Sequence, residues 1–167
     1  MACRITDYMK LDWVAADLKA HDKQTLLLEI TTLICHAEPN VKFSELYHKL
    51  TEREQKASTG ADHGVAIPHA TIDSASRMMV IFGRSRDGIP FNALDNEDSR
   101  LFFAVISPSQ PRPEEASYLQ IISSVCRLMR SVSLRDKLLN ASSPNQILEL
   151  LKKEEELKLA QPLSLAP

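Results

Sequence analysis

The stretch Ala57-Ser58-Thr59-Gly60-Ala61-Asp62-His63-Gly64-Val65-Ala66-Ile67-Pro68-His69-Ala70 decides how the chain is read. It sets two glycines, two hydroxyl residues, a proline and two histidines between a helical pattern and a strand pattern. Val65-Ala66-Ile67 is a short apolar run, and His69 follows it behind Pro68. A histidine held at the end of a buried strand serves equally well as nucleophile, general base or structural side chain. The flanking chain has to decide.

Upstream, Phe43, Leu46, Tyr47 and Leu50 fall at i, i+3, i+4 and i+7, which predicts a helix running on through Lys56. Arg53 lies one turn beyond Leu50, at the edge of that apolar face and just ahead of the Ser58-Thr59-Gly60 loop. Earlier still, Asp22 reads as an N-cap, and Leu27, Ile30, Ile34 and Ala37 keep helical spacing until Pro39-Asn40. Residues 1–21 predict a helical turn between Ile5 and Leu11 and a strand near Trp13-Val14-Ala15.

Downstream, Met78–Gly83 and Arg100–Ile106 are near-continuous apolar runs of strand length, as expected for strands buried on both faces. Between them, Arg84 to Asn96 reads as a loop anchored by Ile89 and Phe91. Three prolines between Ser107 and Pro113 force an extended connection. Glu114-Glu115 are expected to open a helix, with Leu119, Ile122, Cys126 and Met129 on one face, widened by Ile121, Val125 and Leu128. Ser133 reads as the cap of a short helix through Leu138-Leu139, and Ser143-Pro144 as cap and first-turn proline of a last one. The order predicts one α/β domain over residues 1–158, a central mixed sheet flanked by helices, with residues 159–167 as an unstructured tail.

With 167 residues, 44% of them hydrophobic, the chain suits one globular domain around a sizeable core. Its 20 basic and 22 acidic residues leave a net charge of -2, so bulk charge makes no case for nucleic acid or a membrane surface. Cys3, Cys35 and Cys126 are scattered, with no paired spacing, which fits a reducing cytoplasm. The first residues have no signal-peptide layout, and no run reaches the roughly 18 apolar residues of a membrane span, so a cytoplasmic protein without membrane insertion is expected.

If His69 is reactive, one imidazole nitrogen can attack phosphorus or a carbonyl while a backbone carbonyl orients the other. A phosphoryl group there needs donors aimed at its oxygens. Gly60 and Gly64 let backbone N–H groups come close, Ser58 and Thr59 offer hydroxyls, and Arg53 offers a fork of donors. The competing readings are a capped loop with a satisfied core histidine, or a metal held by His63 and His69. The spacing of that pair matches no zinc pattern, and no cysteine or Glu-x-x-His supplies the remaining ligands. Nucleophile elbows, phosphate loops and dinucleotide fingerprints are absent.

Thr51-Glu52-Arg53-Glu54-Gln55-Lys56-Ala57-Ser58-Thr59-Gly60, followed by Gly64-Val65-Ala66-Ile67-Pro68-His69, resembles the signature of fructose/mannitol-type IIA proteins of the bacterial phosphotransferase system. That signature runs Arg-Glu, a Ser-Thr-Gly loop, then Gly-x-Ala-Ile-Pro-His. The likeness continues through Phe91–Asn96, the strand at 101–106 and the Ser143-Pro144 helix, and leans toward the nitrogen-regulatory branch. It implies that a small phosphocarrier of the HPr type, charged by an Enzyme I from phosphoenolpyruvate, phosphorylates His69 reversibly. Arg53 then stabilises the phosphoryl group, and Ser58, Thr59 and Gly60 build its pocket. It implies no metal or organic cofactor, and as partners the phosphocarrier and regulatory targets such as kinases or transporters.

Two departures bear on mechanism. The family's second active-site histidine, normally followed by leucine, falls on Tyr118 in Ala116-Ser117-Tyr118-Leu119. Tyrosine can donate a hydrogen bond to a phosphoryl oxygen but carries no positive charge. Ala70 stands where a glycine usually follows the histidine, and Ala61-Asp62-His63 replaces Ile-Gly-Asn, bringing an acid that repels a phosphoryl group if it faces the pocket. A regulatory phosphoryl acceptor is therefore expected. The alternatives are an interaction module whose site has decayed and a sugar-transport component passing phosphate to a IIB protein.

Overall fold

Two long strands carry the apolar runs, β4 (Met79–Ile89) and β5 (Ser99–Pro108), paired antiparallel with Phe82 opposite Phe103. Period-2 alternation then divides their side chains between two cores. Met79, Ile81, Phe102, Ala104 and Ile106 face α1 (Lys23–Ala37) and α2 (Phe43–Lys56). Val80, Phe82, Leu101, Phe103 and Val105 face α3 (Tyr118–Met129), α4 (Val132–Asn140) and α5 (Pro144–Ala160). The computed structural model describes residues 3–161, and in it this is a three-layer α/β domain, as the sequence predicts.

The sheet is mixed. β1 (Val14–Ala15) runs parallel to β4, while β2 (Val65–Ala66) and β3 (His69–Ile72) run parallel to β5 on its other side. The pairing with β5 keeps one offset on both sides of Pro68, whose carbonyl accepts from the Val105 N–H at 2.9 Å. β2 and β3 are thus one extended segment, interrupted where proline has no N–H to give. His69 opens β3 rather than closing a strand. Two 3₁₀ turns, Ile5–Tyr8 and Leu11–Trp13, lead into β1.

Several expectations are corrected. β4 continues to Ile89 through an irregularity after Arg84, where a loop was expected. α3 starts at Tyr118, because Ser117 and Gln120 form a reciprocal capping box there. Glu114 and Glu115 stay in the preceding turn. The buried stripe of α3 is Ile121, Ser124, Val125, Leu128 and Met129, and Leu119 and Cys126 face outward. Ser131, not Ser133, caps α4, accepting from the Leu134 N–H at 3.2 Å. α5 runs to Ala160, into the segment expected to lack structure, and the rest of that segment beyond Gln161 lies outside the described residues. Asp22 and Ser143 cap α1 and α5 as expected. Among the described residues no helix is long and apolar enough to cross a membrane.

Arg84 explains why a polar residue continues a buried strand. Alternation places it on the face of Val80 and Phe82, 1% exposed, where its Nη1 donates to the carbonyls of Leu138 (2.9 Å), Leu139 (3.3 Å) and Ala141 (2.7 Å). Its Nε donates to Ala16 O at 2.8 Å, so one guanidinium closes the end of α4 and ties it to β1. Arg84→Met leaves those carbonyls orphaned and is expected to cost about 3 kcal/mol of unfolding free energy. A urea titration reads this as a lowered midpoint at unchanged slope, and a midpoint equal to that of wild type contradicts it.

Candidate functional site

α2 delivers Arg53 and the start of β3 delivers His69, and the two meet. Arg53 Nε donates to His69 Nε2 at 2.9 Å, and Arg53 Nη1 donates to the Ala57 carbonyl at 2.9 Å. On the far side of the ring, Nδ1 donates to the Ile67 carbonyl at 2.9 Å. These partners define the tautomer: Nδ1 carries the proton and Nε2 presents the lone pair. Burial is the first cause that holds the ring below the ordinary histidine pKa, and the Arg53 charge adds to it. The bond to Ile67 and the Glu54 carboxylate pull the other way. The product is a neutral, oriented imidazole with a nucleophilic Nε2.

Tyr118, the first residue of α3, stacks on that imidazole with ring centroids 6.0 Å apart and planes 22° apart. It is 39% exposed, so it walls the site on the solvent side. The structure therefore brings His69, Arg53 and Tyr118 together.

The Ser-Thr-Gly loop is used differently from the chemistry expected of it. The Ser58 hydroxyl donates to the Phe91 carbonyl at 2.5 Å and accepts from the Gly60 N–H at 3.0 Å. The Thr59 hydroxyl and N–H both turn inward to Glu54. Gly60 is small because a Cβ there would meet Ala93 at 3.0 Å, and Gly64, at φ +72°, uses its carbonyl to accept from Arg100 and Leu101. His63 adopts φ 65° and its N–H donates to Asp95 at 3.0 Å. Loop 57–64 is thereby fastened to loop 91–96. Asp62 is exposed and shares a hollow with Cys126 and Arg130, and the charges acting on the His69 ring are those of Arg53 and Glu54. Among the described residues no three His, Cys, Asp or Glu side chains gather as a metal site.

Sequence reasoning assigned no role to Glu54 or Lys23. Glu54 is 7% exposed, holds Thr59, and pairs with Lys23 Nζ at 2.9 Å. A signal was present: Glu54 continues the i, i+4 spacing of Leu46 and Leu50, so a carboxylate stands on the buried stripe of α2.

Residues 7–154 match the sequence profile of the family described as "Phosphoenolpyruvate-dependent sugar phosphotransferase system, EIIA 2". A fructose-specific EIIA component of Haloferax volcanii is 37% identical over 61% of this chain and 64% of its own length. A fructose-specific EIIABC component of Bacillus subtilis is 24% identical over 92% of this chain and 24% of its own length. The chain thus spans less than two thirds of either relative. A nitrogen regulatory protein of Bradyrhizobium diazoefficiens is 25% identical over 80% of this chain and 85% of its own. In structure, IIA-Ntr from Neisseria meningitidis superposes with TM-score 0.78 at 24% identity, covering 88% of this chain and 98% of that one. The mannitol enzyme IIA of Escherichia coli, solved in complex with its phosphorylated IIB, gives 0.71 at 21%, covering 87% and 99%.

The His69 environment makes a testable statement about protons. An NMR titration of its imidazole is expected to give a midpoint below 6.5. The folded protein then binds this proton less tightly than the unfolded chain. The group costs nothing above 6.5 and erodes stability as pH falls from there to the folded midpoint. Arg53→Met removes the like charge and moves the midpoint up, whereas a wild-type midpoint at or above 6.5 contradicts the assignment.

Proposed function

The chain belongs to the EIIA 2 family of the phosphoenolpyruvate-dependent sugar phosphotransferase system, and from that premise we propose that it accepts a phosphoryl group on His69 Nε2 from an HPr-type phosphocarrier. Its phosphorylation state, in this reading, regulates partner proteins such as kinases or transporters in the cytoplasm. The observation that carries the proposal is the pair of contacts on one imidazole: Nδ1–H fixed to the Ile67 carbonyl, Nε2 facing Arg53.

The mechanism follows from that pair. The Nε2 lone pair attacks the phosphorus of the carrier's phosphohistidine. A nitrogen–phosphorus bond forms on His69 as the carrier's own breaks, and the carrier imidazole leaves with the electron pair. Attack places positive charge on the His69 ring, which the bond from Nδ1–H to the Ile67 carbonyl stabilises. Before attack, Arg53 Nε occupies the lone pair, so the guanidinium must shift from nitrogen to the phosphoryl oxygens as the donor arrives. Ser58, Thr59 and Gly60 shape the pocket through loop geometry, with their hydroxyls committed elsewhere. Tyr118 covers the ring and can offer its hydroxyl to a phosphoryl oxygen.

The regulatory role is supported by the relative named as a nitrogen regulatory protein, which this chain matches over most of both lengths. Tyr118 supports it too, since a second imidazole to aid onward transfer is missing from that position. The second reading, transfer to a IIB protein, is favoured by the 37% identity to a fructose-specific EIIA component.

Incubation with phosphoenolpyruvate, Enzyme I and the phosphocarrier is expected to add one acid-labile phosphoryl group to the intact protein. His69→Ala abolishes it, and Arg53→Met slows it by about 10²-fold. Mass spectrometry at neutral pH checks both, and an unlabelled wild-type protein overturns the proposal. Adding a IIB acceptor separates the two roles, because discharge within the labelling time favours sugar transport.

A further inference from the structure

We infer that Glu54, with Lys23 as its counter-ion, is the positioning residue that selects which nitrogen of His69 is free to react. The inference rests on the reading of His69 as phosphoryl acceptor and names what fixes its acceptor atom. A continuous path of short contacts joins the two side chains. Lys23 Nζ meets Glu54 Oε1 at 2.9 Å, and the Thr59 N–H donates to Glu54 at 3.0 Å and 3.2 Å from its two oxygens. The Thr59 hydroxyl donates to the same carboxylate at 2.5 Å. The carbonyl of Thr59 then accepts from the Ile67 N–H at 2.9 Å, and the Ile67 carbonyl accepts from His69 Nδ1. One buried carboxylate therefore holds Thr59, Thr59 holds Ile67, and the Ile67 carbonyl acts together with Arg53 on the tautomer.

Two further features argue that Glu54 does more than fill space. Glu54 stands where leucine would extend the Leu46–Leu50 stripe, and its desolvated carboxylate is compensated by Lys23 and by the N–H and hydroxyl of Thr59. Arg53 and Glu54 are also adjacent in α2, so a single turn of helix sends one side chain to Nε2 and the other to the loop that governs Nδ1. Any rotation of α2 moves both contacts together. Lys23 reinforces the arrangement from α1: its ammonium lies 4.7 Å from the centroid of the Phe91 ring, and Phe91 O accepts the Ser58 hydroxyl.

The test separates positioning from mere anchoring by reading the tautomer directly. In ¹⁵N NMR spectra of imidazole-labelled wild-type protein above the His69 midpoint, Nδ1 is expected as the protonated nitrogen and Nε2 as the bare one. In Glu54→Gln the two resonances move toward each other as the Nδ1–H form loses its preference. Labelling by phosphoramidate provides a second readout free of any carrier protein. There the donor's phosphorus–nitrogen bond breaks as Nε2–P forms, and its nitrogen departs as ammonia. That rate is expected to fall by about tenfold to a hundredfold in Glu54→Gln at a temperature where circular dichroism shows it folded. Should Glu54→Gln fail to fold, Thr59→Val, which removes only the hydroxyl contact, is read the same way with a smaller shift. A folded variant with the wild-type ¹⁵N pattern and a rate within twofold of wild type overturns the inference. Failure of the proposed function shows differently, as wild-type protein that neither phosphoramidate nor the carrier labels.

Discussion

The contact between His69 Nδ1 and the Ile67 carbonyl spans only two residues of sequence, yet it depends on most of the fold. Ile67 lies between β2 and β3, whose shared register against β5 survives Pro68 because the Pro68 carbonyl still accepts from the Val105 N–H, while the Ile67 N–H and carbonyl face away from β5 toward Thr59 and His69. β5 in turn is held straight by its antiparallel pairing with β4 and by a core on each face. Without a rigid β5 the segment from Val65 to Ile72 has no template, and the imidazole has no fixed neighbour. The site is thus an edge feature of the sheet, fixed by the centre of the sheet.

Around that contact the charges are arranged so that each buried ion has a partner. Glu54 is met by Lys23 and by two donors of Thr59, and the Arg84 guanidinium by four carbonyls. Arg53 differs. It is partly exposed, and its contacts among the described residues are a neutral nitrogen and one carbonyl, with no carboxylate against it there. A guanidinium beside a neutral imidazole nitrogen is the donor that the proposed phosphoryl state calls on. Glu155 offers the contrast. Its carboxylate is buried against the first 3₁₀ turn, where it accepts from the backbone of Ile5 and the hydroxyl of Thr6, and burial pushes its pKa up. It serves to staple α5 to the start of the chain.

What the sequence made legible follows from how local each cause is. The apolar runs of β4 and β5, the Asp22 and Ser143-Pro144 caps and the Leu46–Leu50 stripe are written within a few residues of where they act. Arg84 is not, because its meaning lies in carbonyls more than fifty positions away, and a charged residue therefore read as the start of a loop. Ser124 hid the true stripe of α3, since a hydroxyl buried against the Cys3 carbonyl looks from sequence like the polar face. At the site, Arg53, His69 and Tyr118 came from motif and resemblance together. The residue types of Ser58 and Thr59 suggested phosphoryl donors, but hydroxyls are satisfied by whichever acceptor is nearest, and here those acceptors are Phe91 O and the Glu54 carboxylate.

Tyr118 changes the charge economy of the proposed phosphoryl state. A second imidazole at the start of α3 could be protonated and share the phosphoryl charge, whereas a phenol stays neutral and offers one hydrogen bond. Compensation then falls on Arg53 and on the N-terminal end of α3, whose first N–H groups lie beside Tyr118. In the proposed phosphoryl state one fixed cation meets the group's charge, where a second imidazole would have added a titratable one. That difference is in keeping with the proposed regulatory reading, in which the phosphorylated state persists. The stacked phenol, more than any residue of the Ser-Thr-Gly loop, is what favours the proposed regulatory reading over the proposed transfer to a IIB protein.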